Sequence, residues 1–290
     1  MQLSYPPIRV HIWGGLGSQL YAWALLISLR DKFPKRRLIA IFHNGGVTRR
    51  ESELHPYMHE FHKSIVRDYS NTSQKNYVAR NFNQMKQMCF GIFRIPFRLL
   101  GFISGGNTDE EFSRLRPWVV SLRGHYSNRK ITRGVSSKIG NALFQEPMSV
   151  GNQSALDEMA VHFRLGDLLH LESKQPIKVE RLAFGIGQAR KYMRIRNSPV
   201  SICSDSVDIA KVNLEEQCPD ERFVSIHLSP RETIYFLGKV SCFIGTPSKI
   251  SEWITIFRVN SGSSLVTFLP RQMNSQVGRI LEDSSHIHYY

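Results

Sequence analysis

Short continuous apolar runs alternate along this chain with longer stretches whose apolar residues recur at helical spacing. "IRVHIW" (8–13) reads as a buried strand, a glycine-rich turn follows, and an apolar helix is expected from Gln19 to Lys32. "RRLIAIF" (36–42) supplies the next strand, so the chain opens with the strand–turn–helix–strand unit of a parallel sheet. Residues 48–116 turn polar and irregular with short helical pieces. "PWVVSLRGHYSN" (117–128) returns to strand and ends in Gly124, His125 and Tyr126.

The polar stretch "SVGNQSALDE" (149–158) reads as a linker, and a second alternation starts at "MAVHFRLGD" (159–167). A helix over 178–196, the strand "PVSIC" (199–203), a short helix from Val207 and the strand "RFVSIH" (222–227) follow. "SPRETIYFLGKV" (229–240) opens a helix with Ser229 as N-cap and Pro230 at its first position. "SCFIGTPS" (241–248) is strand and turn, "KISEWITIF" (249–257) a helix, and "SLVTFLP" (264–270) a last strand. Both halves are therefore α/β. In open sheets of this kind ligands sit at the carboxyl ends of the strands.

Length and charge sharpen that picture. At 290 residues the chain has room for two domains of roughly 150 residues, here divided as 1–156 and 157–290. With 38 Lys+Arg against 24 Asp+Glu, the net charge of +14 favours anionic partners: nucleic acid, acidic headgroups or a phosphorylated substrate. The basic residues are scattered and no aromatic–basic nucleic-acid module stands out. Cys89, Cys203, Cys218 and Cys242 lie far apart with no C-x-x-C, which suggests neither a zinc site nor a disulfide framework and points to a reducing cytosol. The N-terminal residues carry no signal-peptide pattern, and no apolar run reaches the ~20 residues of a membrane span. "MCFGIFRIPFRLLGFISGG" (88–106) fits either a buried helix–loop or a helix lying in a membrane interface, since Arg94, Pro96 and Arg98 interrupt it.

Several turns could carry chemistry. Gly14, Gly15 and Gly17 lie between an apolar strand and an apolar helix, which suits either a tight turn or an anion at the helix N-terminus. His162 and Arg164 share one strand face. Arg164 suits two-point phosphate contact or a salt bridge to a carboxylate such as Asp167. Thr246 and Ser248 fit a phosphate cradle or a plain N-cap, and Asp205 a turn or a nucleoside contact.

In order along the chain, "GGLGSQLYAWA", "RRESEL" (49–54), "LRGHYSN" (122–128), "VHFRLGD", "SICSDS" and "FIGTPSKISEWITIF" resemble six segments of the α-1,2-fucosyltransferases. Their counterparts are GGLGNQ-[LM]-F-x-Y-A, R-x-F-E-L, G-Y-x-Q-S, H-x-R-R-G-D, F-S-D-D and I-G-T/S-x-S/G-x-x-x-W-A-A-x-L. The resemblance implies a GT-B-like fold of two Rossmann-type domains facing a central cleft. It also implies an inverting, metal-independent transfer of L-fucose from GDP-fucose to the 2-hydroxyl of a galactose-type acceptor. The donor would meet Gly14, Gly15, Gly17 and Gln19 from the first domain. His162, Arg164, Asp205, Thr246 and Ser248 would meet it from the second, with Arg164 on the diphosphate. Asp167 and Glu172 are the candidate general bases. Nucleic acid is not an expected partner, whereas a glycan acceptor is, with the bacterial cytosol beside the inner membrane as the expected location.

The departures are specific: Leu165 stands at the second arginine of the motif, Ser18 at the asparagine, and Ile254 and Thr255 at the alanine pair. They keep two alternatives open, a noncatalytic nucleotide or nucleic-acid binder and a degenerate transferase serving as scaffold.

Overall fold

The short apolar runs become the strands of two all-parallel sheets. The computed structural model describes residues 5–45, 52–68, 94–145, 159–166, 176–194, 198–262, 265–281 and 285–290. The chain divides into two units, Met1–Arg129 and Lys130–Tyr290. Each is an α/β domain of Rossmann type.

The first unit contains β1 (Ile8–Ile12), α1 (Leu16–Lys32), β2 (Leu38–Gly45), β3 (His62–Asp68), a helix α2 described over 94–99, β4 (Ile103–Ser104), α3 (Asp109–Ser113) and β5 (Ser121–Arg123). Its sheet runs β3-β2-β1-β5-β4 with every pair parallel. Val10 sits opposite Ala40 on one side and Leu122 on the other, all three buried, which fixes the register. Helix α1 is apolar on almost every side and correspondingly buried, from Leu16 and Leu20 to Leu29. It begins at Leu16, earlier than the apolar pattern suggested, because Gly15 is its N-cap.

Strand β3 lies inside the segment that reads as irregular. Its sequence "HKSIVRD" leaves His62, Ser64, Ile65 and Val66 exposed. An edge strand buries little on either face and is commonly charged, so it lacks the apolar signature of β1. Pairing with β2 from Ile39–His62 to Gly45–Asp68 defines it instead.

The second unit contains α4 (Arg133–Leu143), β6 (Met159–His162), α5 (Val179–Met193), β7 (Val200–Cys203), α6 (Val207–Gln217), β8 (Phe223–Ile226), α7 (Pro230–Lys239), β9 (Cys242–Ile244), α8 (Lys249–Asn260), β10 (Val266–Leu269), α9 (Asn274–Ile280) and β11 (Ile287–Tyr289). Its sheet runs β11-β10-β9-β6-β7-β8, again all parallel. Counted within the unit this is the doubly wound order 3-2-1-4-5-6, which reverses between β6 and β9. Val161, Phe163, Leu165, Ile186, Ile202, Ile244 and Phe268 form its core with Leu182.

The expected helix starts hold here. Ser229 caps α7 through a full capping box with Glu232, and Pro230 stands at the first helical position, a cap that contributes about 1 kcal/mol. Helix α4 was not legible in the sequence, and it sides with the second unit. Phe144 meets Phe257 of α8 at 5.8 Å between ring centroids, Asn260 Nδ2 donates to Ile131 O at 3.1 Å, and Ile131 N to Ile280 O. The division therefore falls at 129/130, ahead of the 156/157 read from the polar stretch, and residues 149–158 of that stretch lie outside the described residues. Beyond β10, expected to be last, α9 and the short β11 extend the sheet.

Arg258 of α8 places a cation in this core. It is buried, and Nε donates to Thr267 Oγ1, Nη1 to Leu237 O and Val240 O, and Nη2 to Ser241 O and Val266 O. A guanidinium spread over five acceptors ties α7, β9, α8 and β10 together, and this is how a buried cation is tolerated. Among the described residues no helix is long and apolar enough to cross a membrane.

Candidate functional site

The reversal between β6 and β9 brings two turns side by side, residues 163–166 after β6 and 245–248 after β9. Past the end of β6 the chain keeps its alternation: Phe163 and Leu165 enter the core, while Arg164 between them is only half-buried. A single hydroxyl stitches the turns together. Thr246 Oγ1 donates to His162 O at 2.9 Å and accepts from Arg164 N at 3.1 Å.

Beside these turns opens a pocket of about 260 Å³, lined by Arg164, Thr246 and Pro247, by Lys178 and Arg181 at the start of α5, and by Pro176, Ile177 and Gln272. It is smaller than the ~300–1,000 Å³ of sites that enclose a whole drug-sized ligand, so it suits one polar portion of a larger molecule. Three cations line one wall system, and guanidinium and ammonium groups together match an anion that carries several oxygens.

Asp205, in the turn after β7, does a structural task here. Its Oδ1 accepts from both Leu165 N and Gly166 N at 2.9 Å. A Cβ on Gly166 would lie 2.1 Å from Asp205 Oδ2, so glycine is required for that approach. The carboxylate thereby fixes the backbone from which Arg164 projects.

His162 is buried under the same turn. Its Nδ1 lies 2.9 Å from Ser251 Oγ and 3.4 Å from Ser248 Oγ. Ser248 Oγ donates to Ser251 Oγ and accepts from Ser251 N, acting as the N-cap of α8. The two serine hydroxyls and Nδ1 thus form one closed buried network. Burial pushes His162 down to about 4; Asp205 acts against that and Arg164 with it. The ring is neutral at pH 7.

The second-domain residues read from the sequence therefore come together, in divided roles. Arg164 lines the pocket and Thr246 its edge. Thr246 spends its hydroxyl proton on His162 O, and Ser248 is an N-cap, so the hydroxyls organise the turn while the cations face the cavity. Lys178 and Arg181 were missed: they stand in an unremarkable helix start, and only the fold carries them to Arg164. Asp167 and Glu172 lie outside the described residues.

The glycine turn of the first unit is built differently. Gly14 has φ +83°, a conformation that favours glycine, and Gly15 caps α1. Gln19 is buried; its Nε2 donates to Gly14 O and its Oε1 accepts from Leu54 N, both at 2.9 Å. Gly17 is buried inside the helix. The anion expected at this helix N-terminus is the chain's own: Glu53 Oε1 accepts from Leu16 N at 3.2 Å. Nearby, His11 Nδ1 lies 2.8 Å from His43 Nε2, and Trp13 stacks on both rings. Burial and then Arg123 hold His11 down at about 3.

A larger groove of about 560 Å³ lies among α4, α7 and α8, lined by residues such as Phe144, Tyr235 and Phe257. It sits on the helix layer, away from the strand ends, and its one lining cation, Lys239, is bonded to Tyr235 Oη. Among the described residues no group of three or more His, Cys, Asp or Glu could hold a metal ion.

No protein-family model matches the sequence, and no curated protein matches it. Solved structures similar in chain course include E. coli heptosyltransferase WaaC with ADP, with 8% identity over 91% of this chain and 86% of that one and a TM-score of 0.43. UDP-GlcNAc 2-epimerase from Neisseria meningitidis bound to UDP-GlcNAc gives 9% identity, 95% and 86% coverage and 0.45. POFUT1 in complex with GDP gives 11%, 90% and 97%, and 0.40. At these identities and scores the likeness transfers no activity to this chain.

Proposed function

We propose that the chain is an inverting, sugar-nucleotide-dependent glycosyltransferase that moves L-fucose from GDP-fucose to a galactose-type hydroxyl in glycan or surface-polysaccharide synthesis. The observation that carries the reading is the cation-lined pocket at the reversal between β6 and β9, with Arg164, Lys178 and Arg181 on its wall. A doubly wound sheet binds ligands at that place, and a diphosphate is the part of a nucleotide sugar such a pocket suits. The six sequence segments that resemble α-1,2-fucosyltransferases, in order along the chain, direct the choice of donor.

The weakest motif position also finds an account. Leu165 stands where that family has a second arginine, and here it is buried in the core, a place that would strand a charge. Lys178 and Arg181 bring positive charge to the pocket from α5 instead. Loss of one motif cation is thus no sign of an emptied site.

In the proposed reaction the acceptor 2-hydroxyl oxygen attacks C1 of the sugar from the face opposite GDP. The bond from C1 to the β-phosphate oxygen breaks, and GDP leaves with the bonding pair. The hydroxyl proton passes to a carboxylate, for which Asp167 and Glu172 are the candidates. Negative charge grows on the diphosphate as that bond opens, and Arg164 is the group we assign to stabilise it. His162, neutral and held by Ser251, is a positioning residue under the turn that carries Arg164.

A donor screen by saturation-transfer NMR across GDP-, UDP- and ADP-sugars tests the reading. Selective contact with GDP-fucose, followed by its turnover on a galactoside, is the expected result. Contact with another sugar nucleotide would move the donor, and contact with none would remove the transferase reading.

A further inference from the structure

The apolar stretch around residue 95 becomes exposed surface. In α2 and the turn after it, Phe97 is 52% exposed, Leu99 84% and Leu100 61%, with Ile95 also exposed. The helix ends at residue 99, and Gly101 at φ +79° turns the chain away from it. Phe97 folds back on Phe102, edge to face at 6.5 Å, which leaves the tip at 99–100 projecting.

A second stretch joins it. Trp118, 42% exposed, donates its indole N–H to Leu100 O at 2.8 Å, and the Arg116 guanidinium lies 6.0 Å from its ring centre. Arg36 donates to Pro117 O and lies over the ring of exposed Tyr5 at 5.6 Å. The result is a patch of aliphatic tips with Trp118 and Tyr5 at its side and exposed Arg98 and Arg116 around it, while Arg36 is spent on the carbonyls of Pro6, Pro117 and Val119. The stretch 88–108 contains no acidic residue, and of the acidic run Asp109–Glu111 that follows, Glu110 is paired with Arg114.

We infer that this patch docks the protein on an anionic lipid bilayer surface, with Leu99 and Leu100 inserted among the acyl chains and the arginines on the headgroups. Exposed apolar area of this kind marks an interaction site, and its composition selects the partner. Tryptophan and tyrosine favour a boundary with one apolar and one wet side. Arginine at the rim, on a chain of net charge +14, complements phosphate-bearing headgroups rather than a neutral protein face. Among the described residues no helix is long and apolar enough to span, and docking needs this one only to lie in the interface. This surface stands independently of the nucleotide pocket.

Flotation of the full chain with phosphatidylcholine vesicles, and with vesicles also containing phosphatidylglycerol, tests it. Binding is expected only to the anionic vesicles, weakening as salt rises. Leu99→Glu or Leu100→Glu is expected to lower partitioning about tenfold each, with thermal midpoint and nucleotide binding unchanged. Insertion should blue-shift tryptophan emission in wild type and leave it unshifted in Trp118→Phe. Failure to float, or floating unaffected by the leucine variants, would overturn the assignment. A wild-type dimer in analytical ultracentrifugation that Leu99→Glu converts to monomer would overturn it in favour of a second copy of this chain.

Discussion

Each sheet has a reversal point beside its first strand, and the two points are used differently. In the first unit the reversal lies between β1 and β5, where Tyr126 Oη donates to His11 O and Leu122 O, Gln19 ties Gly14 to Leu54, and Glu53 takes the first N–H of α1. In the second it lies between β6 and β9 and opens on a pocket with three cations. The glycine-rich turn, the more conspicuous of the two in sequence, is filled by the chain's own groups. Glycines mark where a backbone must bend or come close; the second point instead gathers charges beside a cavity.

The largest effect that sharpens this contrast is on stability at the second point. Leu165→Arg introduces the arginine that α-1,2-fucosyltransferases have at the similar position but puts an unpaired charge into the core, and should cost more than ~3 kcal/mol in urea unfolding. Neutrality in stability would mean that the turn can re-orient and that residue 165 reaches the pocket.

Arg164→Ala should lower GDP affinity about 100-fold in isothermal titration, the scale of a lost charge-assisted contact, with little change in thermal midpoint. Lys178→Ala and Arg181→Ala should each lower it about tenfold, equally for GDP and inorganic pyrophosphate. If pyrophosphate is unaffected while GDP weakens, the two side chains act on the nucleoside portion instead.

Acid should loosen both points, because each holds a neutral histidine. His162 sits near 4 and His11 near 3 when folded, against 6.5 in the open chain. The unfolded chain therefore binds more protons below pH 6.5, so stability falls as pH drops from 6.5 towards 4, by about 3 kcal/mol for His162. Thermal melts across that range read it, and His162→Gln should flatten part of the slope.

The smaller effect belongs to the first point. Gln19→Leu leaves the Leu54 N–H and Gly14 O without their partner and should cost about 2 kcal/mol. GDP affinity should stay as in wild type. A drop in affinity there would return the glycine turn to the donor site.

The buried parallel strands β1, β2, β6, β7 and β9 were legible because strands covered on both faces are continuously apolar, and most helices because their caps and periodicity agree. Strand β3 and the short β11 were not, since an exposed edge and a three-residue strand carry little pattern of their own. At the site, Arg164 was legible from its place beyond an apolar strand. Lys178 and Arg181 were not, because their place in the pocket comes from tertiary proximity to a strand end upstream. Thr246, Ser248 and Asp205 were found as residues, but their bonds within the turn depend on geometry that spacing does not encode.

The most direct measurement is a crystal structure of the protein with GDP. The account predicts the diphosphate against Arg164, Lys178 and Arg181, beside the turns that follow β6 and β9. A diphosphate seated instead on the Gly14–Leu16 turn, with Glu53 displaced, would contradict it.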